Sequence, residues 1–294
     1  MLELSHILAS ARCPDTARVF TQRHGAHELA EPARKRIRRA LGGSLLRRYV
    51  HAVSGNTEHA MRYAVTRYGL HGVPAQVTYN GVDFSLLAPH RNRQEVRAEI
   101  GAGPGTIVIG SSGSFNSCKR FDRLVGLLAG PSTQEVVLVG DGRLRGALQA
   151  QAETLGASRR LCVTGLVDNV ADYLQAMDIF VLPSSADESF GNSVVEAMGM
   201  GIPSIVFSDS PGLCEHIEHG ETGFIAQDQE ELASLVAELA ADPGLRSRLG
   251  LAGAKHVRSK YSLEHMHESY RKLYETALAR RAATQDEVDD DSTP

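Results

Sequence analysis

Short apolar runs rich in β-branched residues alternate along the chain with longer stretches in which apolar positions recur at helical spacing. The runs predict strands over residues 18–21, 49–54, 76–79, 106–111, 135–139, 161–164, 179–182, 204–207 and 224–226. They lack the polar-apolar alternation of a sheet wetted on one face. Near-continuous apolar strands are what a parallel sheet covered on both faces requires. Between them the spacing predicts helices over residues 57–68, 119–129, 143–154, 170–177, 193–200 and 229–241. Strand and helix in alternation are the sign of βαβ units, so the expected fold is doubly wound α/β.

Polar residues between Pro89 and Pro104 lead into Gly101-Ala-Gly-Pro-Gly105 before a fresh strand, and the domain junction is expected there. Residues 1–95 supply only three strands and read as part of a Rossmann-like domain. Residues 105–260 supply five or six strand-helix units, enough for a complete open sheet. Residues 261–281 read as an amphipathic helix. Residues 282–294, with Asp286, Glu287, Asp289, Asp290 and Asp291, read as a disordered acidic tail.

Composition narrows the function. The 294 residues are 42% hydrophobic and 22% charged, an ordinary globular profile. Thirty-one Lys and Arg stand against 35 Asp and Glu, a net charge of -4, so nothing global draws the chain onto nucleic acid. Cys13, Cys118, Cys162 and Cys214 are scattered, without zinc spacing, and fit a reducing cytoplasm. No apolar run is long enough to span a membrane, and Met1 to Arg12 lacks the apolar segment of a signal peptide. A cytoplasmic protein is expected, at most peripheral to the inner face of a membrane.

The densest chemistry follows the strand at Ile179: Asp187, Glu188, Ser189, Phe190, Gly191 and Asn192, then the helical Ser193-Val-Val-Glu196. In doubly wound folds ligands bind where strand ends meet helix starts. Gly191 allows close backbone approach, and a helix N-terminus suits a phosphate. Glu188 and Glu196 could flank one ligand, one holding a ribose diol and the other a sugar ring. The same residues serve equally as a helix cap, an i,i+4 partner and a solvated acid. Lys119 and Arg120, after the turn at Gly113, bring cations to the same sheet mouth or are simply solvated. His24 stands at a strand end facing a cleft, as general base, hydrogen-bond donor or structural histidine. His216 with His219, and His265 with His267, lack a third ligand at metal-site spacing, so no metal is expected. No G-x-G-x-x-G or Walker loop follows any strand, which disfavours a nicotinamide enzyme or a P-loop triphosphatase. Ala33 to Arg48 carries seven cations and no acid, a segment for anionic lipid, for solvent or for an acceptor anion.

Taken in order, the motifs Thr21-Gln-Arg-His-Gly25, Tyr79-Asn-Gly-Val-Asp83, Gly113 with Lys119-Arg-Phe-Asp122, Leu138-Val-Gly-Asp-Gly142, Thr164-Gly-Leu-Val167, Glu188-Ser-Phe-Gly191, Glu196-Ala-Met198, Gly201-Ile-Pro203 and Gly220 with Gly223-Phe224 resemble the retaining GT-B glycosyltransferases of the group 1 family. The resemblance covers Val19 to about Tyr274. It implies two Rossmann-like domains facing across a cleft, a nucleotide-diphosphate sugar as donor, a glycan or glycolipid acceptor, and polysaccharide or lipopolysaccharide synthesis. It implies that His24, Lys119 and Glu188 are catalytic. It assigns donor contacts to Gly113, Ser114, Lys119, Gly165, Leu166, Val167, Phe190, Gly191, Asn192, Ser193 and Glu196. The implied mechanism is front-face attack with retention, without a catalytic metal or other cofactor.

Two departures qualify it. Many members carry Arg where this chain has Ser114, and members open with strands and a glycine-rich loop not found before His24. The resemblance therefore implies an amino-terminally truncated first domain, a piece of a longer frame or one completed by a partner chain. Its rivals are an inactive nucleotide-sugar-binding module and a GT-B sugar-nucleotide epimerase.

Overall fold

The computed structural model of the chain describes residues 16–23, 42–44, 46–131 and 134–290. These fall into two compact units, residues 1–81 with 263–294, and residues 82–262.

In the first unit three parallel strands, β1 (Val19–Gln22), β2 (Ala52–Gly55) and β3 (Ala75–Val77), lie side by side in chain order. Between β2 and β3 runs α1 (Glu58–Tyr68). Thr57 caps it by accepting from the Ala60 amide at 3.1 Å, and Gly69 ends it in the left-handed region at φ 62°. Leu46, Val50, Val53, Ala64, Leu70 and Val73 form the core on this face, with Phe20, Val65 and Tyr68 packed against them.

The second unit holds six parallel strands: β4 (Ile107–Ser112), β5 (Gln134–Val139), β6 (Leu161–Gly165), β7 (Ile179–Leu182), β8 (Ser204–Phe207) and β9 (Phe224–Ala226). Their order across the sheet is β6-β5-β4-β7-β8-β9. All residues of β7 and β8 are buried, as continuous apolar strands in the middle of a two-faced sheet must be. The unit's helices are α2 (Arg93–Glu99), α3 (Phe121–Gly126), α4 (Arg145–Thr154), α5 (Val170–Leu174), α6 (Asn192–Gly199), α7 (Pro211–Cys214), α8 (Gln229–Ala241) and α9 (Pro243–Lys260). The chain then returns to the first unit as α10 (Leu263–Asp290), whose Leu273 and Ala277 bury against Ala52 on the second face of that small sheet.

The sequence places the junction at residues 89–104, whereas the units divide at Gly81/Val82 and again at Ser262/Leu263. The reason is a strap of polar contacts that composition does not reveal. Buried Asp172 accepts from the His90 and Arg91 amides at 2.6 and 2.9 Å, and Asp178 takes Arg93 and Arg97 at 2.7 and 3.0 Å. Tyr173 donates to Glu99 at 2.7 Å, and Val82 pairs with Ser262. Residues 82–104, including α2, are thereby part of the second unit. Likewise α10 runs on to Asp290, through residues read as tail.

Candidate functional site

Strand order alone marks a position on the second sheet. From β4 the chain steps outward through β5 and β6, then crosses back to lay β7 on the other side of β4. A parallel sheet splays its loops apart at such a reversal, leaving a crevice at the strand carboxyl ends. The two loops that flank it are residues 113–120, after β4, and residues 183–191, after β7.

From the first loop, Lys119 Nζ reaches Glu188 Oε2 of the second at 2.7 Å. Both side chains are mostly buried, 14% and 17% exposed, so the pair is better insulated than a surface ion pair. Cys118 Sγ and Ser184 Oγ lie 3.9 and 3.5 Å from the same carboxylate oxygen. Burial, with the Glu188 charge beside it, pushes the Cys118 thiol up to about 11, so it stays protonated at neutral pH. Gly113 shapes the approach, because a Cβ there would stand 3.3 Å from Lys119 Cε at a φ of 143°. Arg120 does not join the site. Its guanidinium is held on Asp122 at 2.9 Å. Ser114 is exposed and accepts from Asn116 Nδ2 at 3.0 Å.

The second loop ends in α6, and Gly191, at φ 66°, is its cap residue. Gly191 has no side chain to cap this turn, and Asn192 and Ser193 fall inside the helix, so neither is its cap residue. Ser193 Oγ is buried without a hydrogen-bond partner, a group left over by the protein's own packing. One turn inside α6, Glu196 is half-buried. Burial raises its carboxyl above the ordinary range, and the Lys119 charge acts in the opposite direction. Lys119 is thus electrostatically coupled to both carboxylates. Phe190 is buried beneath the loop against the rings of His216 and Tyr261.

Gly165 ends β6, two strands from β4, and Leu166 and Val167 follow it. Backbone contacts carry the site across to them: the Gly140 amide donates to Gly165 O at 3.0 Å, and a Cβ on Gly140 would stand 2.1 Å from Gly113 O. Leu166 is 88% exposed, a large apolar side chain held out beside this row of loops.

His24 and residues 33–41 of the basic segment lie outside the described residues. Arg47, at the end of that segment, donates to Gly69 O at 3.0 Å. His216, weighed with His219 as a metal ligand, has both ring nitrogens engaged, with Tyr261 OH at 2.8 Å and Phe190 O at 2.6 Å. Sequence reasoning gives Tyr261 no role, because its link to the site exists only in three dimensions. Among the described residues no helix is long and apolar enough to cross a membrane.

The chain is similar to known proteins. Among curated sequences, the chain is 31% identical over 179 residues to the lipopolysaccharide core biosynthesis glycosyltransferase LpsE of Rhizobium meliloti, covering 60% of this chain and 52% of that protein. It is 30% identical over 217 residues to the lipopolysaccharide core biosynthesis mannosyltransferase LpcC of Rhizobium leguminosarum bv. viciae, covering 70% and 61%. The chain thus spans about half to three fifths of these relatives' length. In fold it is similar to Anabaena Alr3699/HepE, solved in complex with UDP, at a TM-score of 0.82 and 20% identity over 92% of this chain and 75% of that one. A glycosyltransferase from Rickettsia africae gives a TM-score of 0.76 at 18% identity, over 93% and 74%. The α/β class with parallel sheets is therefore that of GT-B proteins. The glycosyl transferases group 1 profile matches residues 92–256, which contain the whole Lys119–Glu188–Glu196 arrangement, and the chain belongs to that family.

Proposed function

We propose that the second unit binds a nucleotide-diphosphate sugar, and that the chain transfers the sugar with retention to a glycan or glycolipid acceptor in cell-envelope polysaccharide or lipopolysaccharide synthesis. The observation that carries this reading is the meeting of Lys119 and Glu188 at the sheet's switch point, next to a helix start whose cap residue is Gly191. Solved neighbours bind UDP and UDP-glucose, and relatives at about the 30% level are named for lipopolysaccharide core synthesis. In this reading Lys119 neutralises the diphosphate, and the Gly191–Ser193 turn adds its backbone dipole. Once a phosphate takes up the Lys119 charge, Glu188 is released toward the sugar. Glu196 holds the ribose hydroxyls, and the Gly165–Val167 turn faces the base. His24 would stand near the transferred sugar. The leaving diphosphate helps deprotonate the acceptor as it departs on the same face, stabilised electrostatically by cation and amides. No metal or cofactor is invoked, and a contact of the basic segment with anionic lipid completes the reading.

The test is a thermal-shift panel of UDP-, GDP-, ADP- and dTDP-sugars, followed by assay of released nucleotide. A ligand at 100 times its Kd adds about 2.7 kcal/mol, enough to move the midpoint by several degrees. A shift with release supports the transferase and names its base. Ser114, in place of the Arg that many members carry, favours the rival of a binding module. A shift without release would establish that rival instead, and no shift with any donor removes the proposal.

A further inference from the structure

The loop between β7 and α6 rests on the segment that begins with α7. A Cβ on Gly212 would stand 2.0 Å from Ser189 O, and a Cβ on Gly191 would stand 2.5 Å from Leu213 Cδ2. Backbone and side chains are therefore in direct contact at successive points, and the next contact along is a hydrogen bond. His216 Nε2 lies 2.6 Å from the Phe190 carbonyl oxygen. A carbonyl only accepts, so Nε2 carries the proton. Nδ1 is then the acceptor, 2.8 Å from the Tyr261 hydroxyl, which also lies 3.3 Å from Glu215 O. The rings of Phe190, His216 and Tyr261 pack edge to face on one another with centroids 4.6 to 5.2 Å apart. Tyr261 is in turn held by its backbone, its amide on Val257 O and its carbonyl on the Val82 amide, both at 2.8 Å.

The Phe190 carbonyl shares its peptide plane with the Gly191 N–H. In a trans peptide the two point in opposite directions, so an oxygen held toward His216 turns the Gly191 N–H away from it. Gly191 has no Cβ to resist rotation of this plane. A flipped peptide would present a carbonyl oxygen where the site offers a donor, and a phosphate would meet repulsion.

We propose that His216 is a positioning residue for the diphosphate: with Tyr261 as its anchor, it locks the Phe190–Gly191 peptide in the orientation that offers an N–H to the ligand. The inference rests on the donor-site reading above and deepens it.

The experiment measures binding of UDP, GDP, ADP and dTDP, and of the matching nucleosides, to the full chain and its variants by calorimetry and ligand-observed NMR. For the diphosphate that the wild type binds, His216→Phe is expected to weaken affinity tenfold or more and to change nucleoside affinity less than twofold. His216→Gln, whose amide can still donate to Phe190 O, is expected to recover to within threefold of wild type. Tyr261→Phe keeps the rings and loses only the anchoring hydroxyl, so it tests the same point if His216→Phe does not fold. It is expected to weaken the diphosphate selectively, by about threefold. Equal losses for diphosphate and nucleoside would make His216 merely structural and overturn the proposal, as would unchanged diphosphate binding in His216→Phe and Tyr261→Phe. A wild type that binds none of the four diphosphates removes the donor-site reading and this proposal together.

Discussion

Glu196 is the residue whose chemistry is most exposed to test. A hydrogen bond to a charged group is worth about 1.5 to 3 kcal/mol, so Glu196→Ala is expected to weaken nucleotide binding by roughly that amount. Unchanged affinity in a titration would return Glu196 to a packing role. Its titration gives a second, independent reading. Burial raises the carboxyl above its ordinary value, so the folded state holds the proton more tightly than the unfolded chain. The associated stability is present at acid pH and is lost as pH rises through the raised value. Glu196→Gln removes that titration, so its melting temperature relative to wild type is expected to climb as pH rises above the ordinary carboxyl value of 4.5. A difference flat across that range refutes the burial argument. His216 titrates in the opposite sense. Burial depresses it from 6.5 to about 3, so its neutral form stabilises the fold above 6.5 and that contribution falls away on acidification toward 3. His216→Gln is expected to lack this acid limb in a stability profile, and a limb of undiminished slope would assign it to other groups.

At the scale of elements, glycines decide how closely the loops approach. Gly212 lies under Ser189, and Gly140 lies against Gly113, with no room for a methyl group in either place. Gly212→Ala must push the Glu188–Gly191 loop outward. Overpacking of this kind costs about 1 to 3 kcal/mol, and a loss in that range is expected in denaturant unfolding, together with weaker nucleotide binding. Wild-type stability and binding would show that the loop yields without consequence. A side-chain cap makes a helix legible only where the apolar pattern behind it is strong, since Asp242 also caps α9 through the Leu245 amide at 2.9 Å. Asp228 accepts from the Glu230 and Glu231 amides at 2.9 Å, and α8 begins and ends where the pattern puts it. By contrast α9 and α7 open with proline at the first turn, after Asp242 and Ser210, and were not read as helices. α9 buries only Leu249, Gly250, Gly253 and Val257, a narrow and glycine-rich stripe that apolar periodicity does not register.

For the whole molecule, the division into units makes a prediction about autonomy. Residues 82–262 are expected to fold in one cooperative transition and to bind nucleotide without the rest of the chain. A fragment beginning at residue 105 lacks the strap that satisfies buried Asp172 and the partners of Asp178, and unpaired buried carboxylates are costly. It is expected to be markedly less stable. Equal stability of the two fragments by calorimetry would place the boundary near residue 105 after all. The sequence by itself determined the parallel α/β class, because strands buried on both faces must be apolar throughout, and the family, because Lys119, Glu188 and Glu196 keep their motif context. Tertiary structure alone decided the rest. Strand order brought Lys119 onto Glu188 across 69 positions of sequence, the strap moved the boundary to residue 82, and His216 met Phe190 and Tyr261. These are long-range polar and backbone contacts, and they leave no periodic trace along a chain because their partners are neighbours only after the sheet has formed.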